Sequence, residues 1–248
     1  MEIISAIVDA ETAEGPMAVL HKRPASGEHP LVLMYHDGPG IRTATHAFAE
    51  KLAAAGYEVL VPDLFHREGR LIGYEPAERA ADPAITERLW TLIRGLTDDG
   101  IQADGDAALT ALGVPEERPL ATIGFCLGAR AVAVALARHA DRVVAGAMWH
   151  PSFLADDTDA SPHHRAAELT RPLFVGVGGI DKVQPMELHR PYLDVVEPMP
   201  QVEVVLFPDA DHGYTWPDHP TYNAEAASVS FERTTAMFAA AFYERLQG

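Results

Sequence analysis

The sequence predicts an α/β fold with a mostly parallel central sheet and helices on both faces. Three observations carry that prediction. Short apolar runs alternate with longer amphipathic ones along the whole chain. Several short runs, such as LVLMY at 31–35 and PLFVGV at 172–177, are almost wholly apolar, as strands covered on both faces must be. The chain has 248 residues, 48% hydrophobic and 22% charged, enough to bury one core, so a single domain over 1–248 is expected.

Taken in order, Ile3–Val8 and Met17–His21 read as strands joined only by the turn Ala10–Pro16, which contains Gly15-Pro16, so they form an antiparallel hairpin at one sheet edge. Leu31–Tyr35 is a continuous apolar strand. Thr43–Ala55 is a helix ending at Gly56, with Phe48, Leu52 and Ala55 on one side and Glu50 and Lys51 on the other. Glu58–Val61 returns to a strand. Ala84–Leu96 follows as a helix whose Leu89, Trp90 and Ile93 make a face over a pocket or the core, and Asp104–Leu112 is a helix stopped by Gly113. The remainder alternates: strand Leu120–Gly124, helix Leu127–His139, strand Val143–Trp149, strand Leu173–Val177, helix Pro185–Val196, strand Val202–Phe207 and helix Tyr222–Leu246. This is the outline of a single-domain α/β-hydrolase, and a flavodoxin-like sheet has a similar one. In either, ligands bind beyond the carboxyl ends of the strands.

The net charge of −17 repels nucleic acid and anionic membrane surfaces at long range, so neither is an expected partner. Its plain reading is solubility. No apolar run approaches the ~20 residues of a membrane span, and Met1–Gly15 is acidic without the pattern of a signal peptide. A single cysteine permits no internal disulfide. A cytoplasmic protein acting on a small molecule, as a monomer or small homo-oligomer, is expected.

Reactive residue types fall at the strand ends. Leu120–Gly124 runs into Gly124-Phe125-Cys126-Leu127-Gly128 and then an Ala/Val-rich helix, the G-x-nucleophile-x-G elbow with cysteine as nucleophile. Residues two before and two after such a nucleophile approach too closely for a Cβ, and the helix N-terminus favours the thiolate. Alone, Cys126 reads equally as a small buried hydrophobe. After Leu173–Val177 comes Asp181, which alone could be a helix cap; after Val202–Phe207 comes His212, which alone could be a solvated loop histidine. Three reactive types at three strand ends, in the order nucleophile, acid, histidine, instead predict a catalytic Cys126-Asp181-His212 triad.

The segments GFCLGAR, GGIDKVQP and DADHGYTWP resemble the dienelactone hydrolase family, and the likeness runs from about Leu31 to the last helix. The resemblance implies an oxyanion hole from the backbone N–H groups of Leu127 and Gly38. It also places Asp37 where the family carries a glutamate that holds the resting thiol's proton. Two departures stand out: Asp37 is one methylene shorter, and Thr215-Trp216 replaces the segment where the family has an arginine for the substrate carboxylate. A second such arginine belongs within Arg79–Arg94.

Because a thiolate leaves more easily than an alkoxide, a cysteine nucleophile suits activated esters, enol lactones and thioesters. The resemblance implies, within that range, a carboxymethylenebutenolidase-type hydrolysis. The alternatives are a general carboxylesterase or thioesterase, or a redox-sensing thiol on a hydrolase fold. The mechanism needs no cofactor. The twelve histidines show no metal-ligand spacing, and His163-His164 sit together in a turn. His36, Trp149, His150 and Trp216 each end or follow a strand and are expected to line the pocket mouth, although the aromatics, Trp149 above all, read equally as ordinary core.

Overall fold

The computed structural model describes residues 1–247 and separates into two compact units, Met1–Arg118 and the chain from Pro119 onward. In the first unit, β1 (Ile3–Thr12) and β2 (Gly15–Pro24) form the antiparallel hairpin, in register from Ile3↔Pro24 to Thr12↔Gly15. Both strands outrun the expected bounds. At the turn, Thr12 Oγ1 donates to the Gly15 carbonyl at 2.7 Å, and pairing continues up to that point. Strand β2 pairs antiparallel with β4 (Glu58–Pro62), which pairs parallel with β3 (Leu31–Tyr35).

Helix α1 (Thr43–Ala54) packs on β2 and β4. Helix α2 (Pro76–Ala81), which the sequence did not announce, buries no side chain and therefore lacks an apolar stripe. In α3 (Pro83–Gly95) the buried residues are Leu89 and Leu92, while Trp90 is 40% exposed. Of the expected face, Leu89 is buried and Ile93 half-buried, and only Trp90 is corrected: residue 92 lies one turn from 89, whereas 90 points about 100° away. Helix α4 (Asp98–Ala111) starts six residues before the expected Asp104, because the Thr97 side chain accepts the Gly100 N–H at 3.1 Å and caps it. Glu58 accepts from His21 at 2.8 Å and Arg118 at 2.7 Å. The hydrogen bond from His21, joined by that from Arg118, outweighs burial and holds the Glu58 carboxyl at about 2.

The second unit is an all-parallel run in the order β5-β6-β7-β8: β5 (Leu120–Phe125), β6 (Val143–Trp149), β7 (Leu173–Gly178) and β8 (Val202–Phe207). Helix α5 (Leu127–Arg138) joins β5 to β6, a 3-10 turn at Pro162–Glu168 precedes β7, α6 (Met186–Val196) joins β7 to β8, and α7 (Ala224–Gln247) closes the described chain. Helices cover both faces. A Cβ on Gly146 of β6 would meet Leu136 and Val132 of α5. Trp149, an odd number of residues further and so on the other face, donates its Nε1–H to Thr234 Oγ1 of α7 at 3.0 Å. The register sets Phe125 beside Trp149, Trp149 beside Gly176, and Gly178 beside Phe207. The loops leaving these strands therefore emerge side by side.

Candidate active site

Cys126 sits between β5 and α5 with φ 53° and ψ −116°, a left-handed conformation rare for a residue with a side chain. The turn is this tight because β5 and α5 nearly touch: a Cβ on Gly124 would lie 2.0 Å from the Gly128 carbonyl oxygen. Only glycine fits there. Cys126 N–H donates to Trp149 C=O at 3.2 Å, tying the elbow to the neighbouring strand end. The N–H of Leu127, first residue of α5, belongs to the helix end that leaves donors without intrahelical acceptors.

Asp181 and His212 come together from the loops after β7 and β8. Nδ1 of His212 lies 2.7 Å from Oδ2 of Asp181, whose other oxygen accepts Val183 N–H at 2.9 Å and Gln184 N–H at 2.7 Å. The cap-like role and the histidine contact thus coexist on one carboxylate. Asp211 clamps the two loops, accepting its neighbour's His212 N–H at 2.8 Å as well as the Lys182 N–H at 2.9 Å and Nζ at 2.7 Å. Thr221 Oγ1 donates to the His212 carbonyl from the far side of the loop.

His212 Nε2 is buried, and no bond of regular hydrogen-bond geometry reaches it among the described residues. Burial would lower this imidazole's pKa. The charge of a Cys126 thiolate, together with the hydrogen-bonded Asp181 carboxylate, reverses the effect and lifts it to about 10.

Two residues beside this group were missed in the sequence. Ser152, fully buried, places Oγ 3.3 Å from Cys126 Sγ. Its only sequence signal was a serine shortly past the end of β6. His189 of α6 is 1% exposed; burial lowers its pKa against the opposing pull of Asp181. Its spacing to buried Tyr192 and Leu193 marked it as inward-facing, but nothing tied it to Asp181.

The four residues expected at a pocket mouth are all enclosed, at 2% exposure or less. Their strands end inside the molecule, so strand-end position does not imply solvent contact. Trp149 stands edge-on to Phe125 and bonds Thr234, a core role. The His150 ring lies 5.0 Å from that of His212 and 6.3 Å from that of Trp216, so His150 borders the site without reaching solvent.

Within the first unit, His36 Nδ1–H donates to the Asp37 carbonyl at 2.7 Å while Nε2 accepts Leu64 N–H at 3.2 Å. Both ring nitrogens are thereby committed to backbone. Asp37 Oδ2 accepts from Arg42 at 3.3 Å; its Oδ1 is buried and unpartnered among the described residues. The Gly38 segment is braced by Gly40 N–H to Asp37 C=O at 3.1 Å and Tyr74 N–H to Pro39 C=O at 2.9 Å. Of the arginines in 79–94, Arg88 pairs with Glu68 at 3.0 Å, whereas Arg79 keeps a buried Nε without a partner among the described residues. Among those residues no three His, Cys, Asp or Glu side chains gather as a cation site would require. No helix there is long and apolar enough to cross a membrane.

A parallel sheet flanked by helices, with a strand–turn–helix elbow and an acid and a histidine on the following strand ends, defines an α/β-hydrolase. Within that class the chain belongs to the dienelactone hydrolase family, whose pattern matches residues 17–242. It is a hydrolase acting on ester or lactone bonds. It is 26% identical over 230 residues to a protein of Escherichia coli O157:H7 named "Putative carboxymethylenebutenolidase", covering 90% of this chain and 82% of that one. It is 25% identical to "Carboxymethylenebutenolidase" of Rhodococcus opacus, covering 90% and 86%. The crystal structure of "Putative Dienelactone Hydrolase" from Klebsiella pneumoniae superposes with a TM-score of 0.81 at 23% identity, over 96% of this chain and 99% of that one, a likeness of fold.

Proposed function

We propose that this hydrolase cleaves an activated ester or enol lactone, in a carboxymethylenebutenolidase-type reaction, with Cys126 as nucleophile, His212 as acid and base, and Asp181 as the carboxylate that aims it. The observation that carries the reading is the imidazole of His212, held 2.7 Å from Asp181 on strand ends that lie in register beside the Cys126 elbow. The family match spans both compact units, which supports treating 1–248 as one hydrolase domain.

In the resting pair the sulfur is thiolate and His212 is imidazolium. The thiolate adds to the carbonyl carbon, and the carbonyl electrons move onto oxygen. The N–H of Leu127, with that of Gly38 by the family pattern, takes up this charge, worth about 3 kcal/mol per donor. The oxyanion collapses, the C–O bond breaks, and the enolate departs, taking the proton from His212. Acylation removes the thiolate charge that kept the imidazole protonated, so His212 is now neutral and can take a proton from water. Water adds to the thioester, the second oxyanion expels the thiolate, and His212 keeps the proton. These steps need no metal or organic cofactor.

Asp37 stands at the family's glutamate position only by the family pattern; a thiolate at rest leaves it no thiol proton to hold, so its part is to modulate the sulfur's charge. The unpartnered Nε of Arg79 favours it over Arg88 for a substrate carboxylate. A small-molecule substrate and a cytoplasmic setting complete the reading. The test is turnover on a panel of enol lactones and aryl esters by wild type and Cys126→Ala. The alanine variant loses about 1000-fold or more; equal turnover by both proteins excludes the cysteine mechanism. Activity on aryl esters without any on enol lactones replaces the reading with a general carboxylesterase.

A further inference from the structure

We infer that Ser152 is a positioning residue for the Cys126 sulfur, its hydroxyl holding the sulfur in one orientation and donating a hydrogen bond to the thiolate. A hydroxyl with no solvent contact needs a partner, and among the described residues Ser152 Oγ finds it in Sγ, at 3.3 Å. A serine suits both protonation states of its neighbour: it accepts from the thiol and donates to the thiolate.

The loop that carries Ser152 is locked to the cysteine's own turn and helix at three points. Ser152 N–H donates to the Cys126 carbonyl at 2.9 Å. Arg130, in the first turn of α5, donates to the Phe153 carbonyl at 3.0 Å and to Asp156 Oδ2 at 2.5 Å. His150 and Phe153, on either side of Ser152, both take left-handed φ values, 38° and 60°. Strain of that kind persists only where the surroundings over-determine the backbone. The result is a hydroxyl that moves with the sulfur as one body. His212 is electrostatically linked to Cys126, with Asp181 behind it, and Arg130 in the first turn of α5 is engaged by Phe153 and Asp156.

The kinetic consequence rests on the proposed nucleophilic role of Cys126, but the effect on the thiol does not. Cys126 is the only cysteine in the chain, so the pH dependence of its alkylation by iodoacetamide reports this one group. In Ser152→Ala we expect the midpoint of alkylation to rise by about 0.5–1 pH unit and kcat on an aryl ester to fall about tenfold, with KM changed less than about twofold. A folded Ser152→Ala protein with the wild-type midpoint and kcat overturns the inference. Should that variant not fold, Arg130→Lys, which keeps the charge but lacks the fork that holds Phe153 and Asp156 together, is expected to shift the midpoint in the same direction; an unchanged midpoint there overturns it equally. Turnover surviving in Cys126→Ala would sink the proposed function, while the alkylation midpoint still decides the role of Ser152.

Discussion

Asp181 serves two masters with its two oxygens: Oδ2 meets Nδ1 of His212 at 2.7 Å, and Oδ1 gathers the N–H groups of Val183 and Gln184. The loop and the imidazole are therefore aimed by the same carboxylate. In Asp181→Asn the amide oxygen can still accept from the loop, but the group facing His212 becomes a donor and selects the wrong tautomer. A loss of about 1000-fold or more in kcat/KM on an aryl ester is expected. An asparagine variant within tenfold of wild type would remove Asp181 from the mechanism.

The His212 pKa of about 10 lies above the ordinary 6.5, so the imidazolium's contribution is complete below 6.5 and is lost as pH rises through about 10. The same loss removes the acid that protonates the leaving group, and kcat/KM should decline above about pH 10. NMR titration of the His212 ring is the check. In Cys126→Ala the thiolate charge is gone, and its midpoint should drop by several pH units. A wild-type ring titrating near 6.5 contradicts the ion pair.

Gly124→Ala places a methyl group 2.0 Å from the Gly128 carbonyl, backbone against backbone with no side chain able to yield. Loss of about 3 kcal/mol or more is expected, read as a lowered urea midpoint. A variant as stable as wild type would mean that β5 and α5 can separate without cost.

Glu58 is held at about 2 against an ordinary 4.5, so its stabilisation is present above pH 4.5 and fades as pH falls toward 2. Allowing for solvent screening, Glu58→Gln should cost about 1–2 kcal/mol at pH 7. That difference from wild type should shrink steadily between pH 4.5 and 3. A penalty constant over that range would assign the effect to packing and not to charge.

Strands β3, β5, β6 and β7 were legible because burial on both faces leaves an unbroken apolar run, while β1 and β8, mostly exposed or half-buried, still carried enough apolar residues to be read; bounds moved mainly at the hairpin and by single residues elsewhere. Helix α2 left no trace because it buries nothing, and the start of α4 was hidden because Asp98-Asp99-Gly100 reads as a turn until the Thr97 cap is seen. The elbow was readable since glycine, cysteine and glycine act within five residues.

What local pattern could not supply was contact between distant positions. Ser152 is 26 residues from Cys126, and His212 is 31 from Asp181; both approaches are set by which strand ends lie side by side. The division of the Asp181 oxygens, the Asp211 clamp and the enclosure of His36, Trp149, His150 and Trp216 arise the same way. Periodicity records which face of an element is buried, because burial repeats along the chain. It carries no record of what that face meets, because partners are chosen by strand order and register in three dimensions.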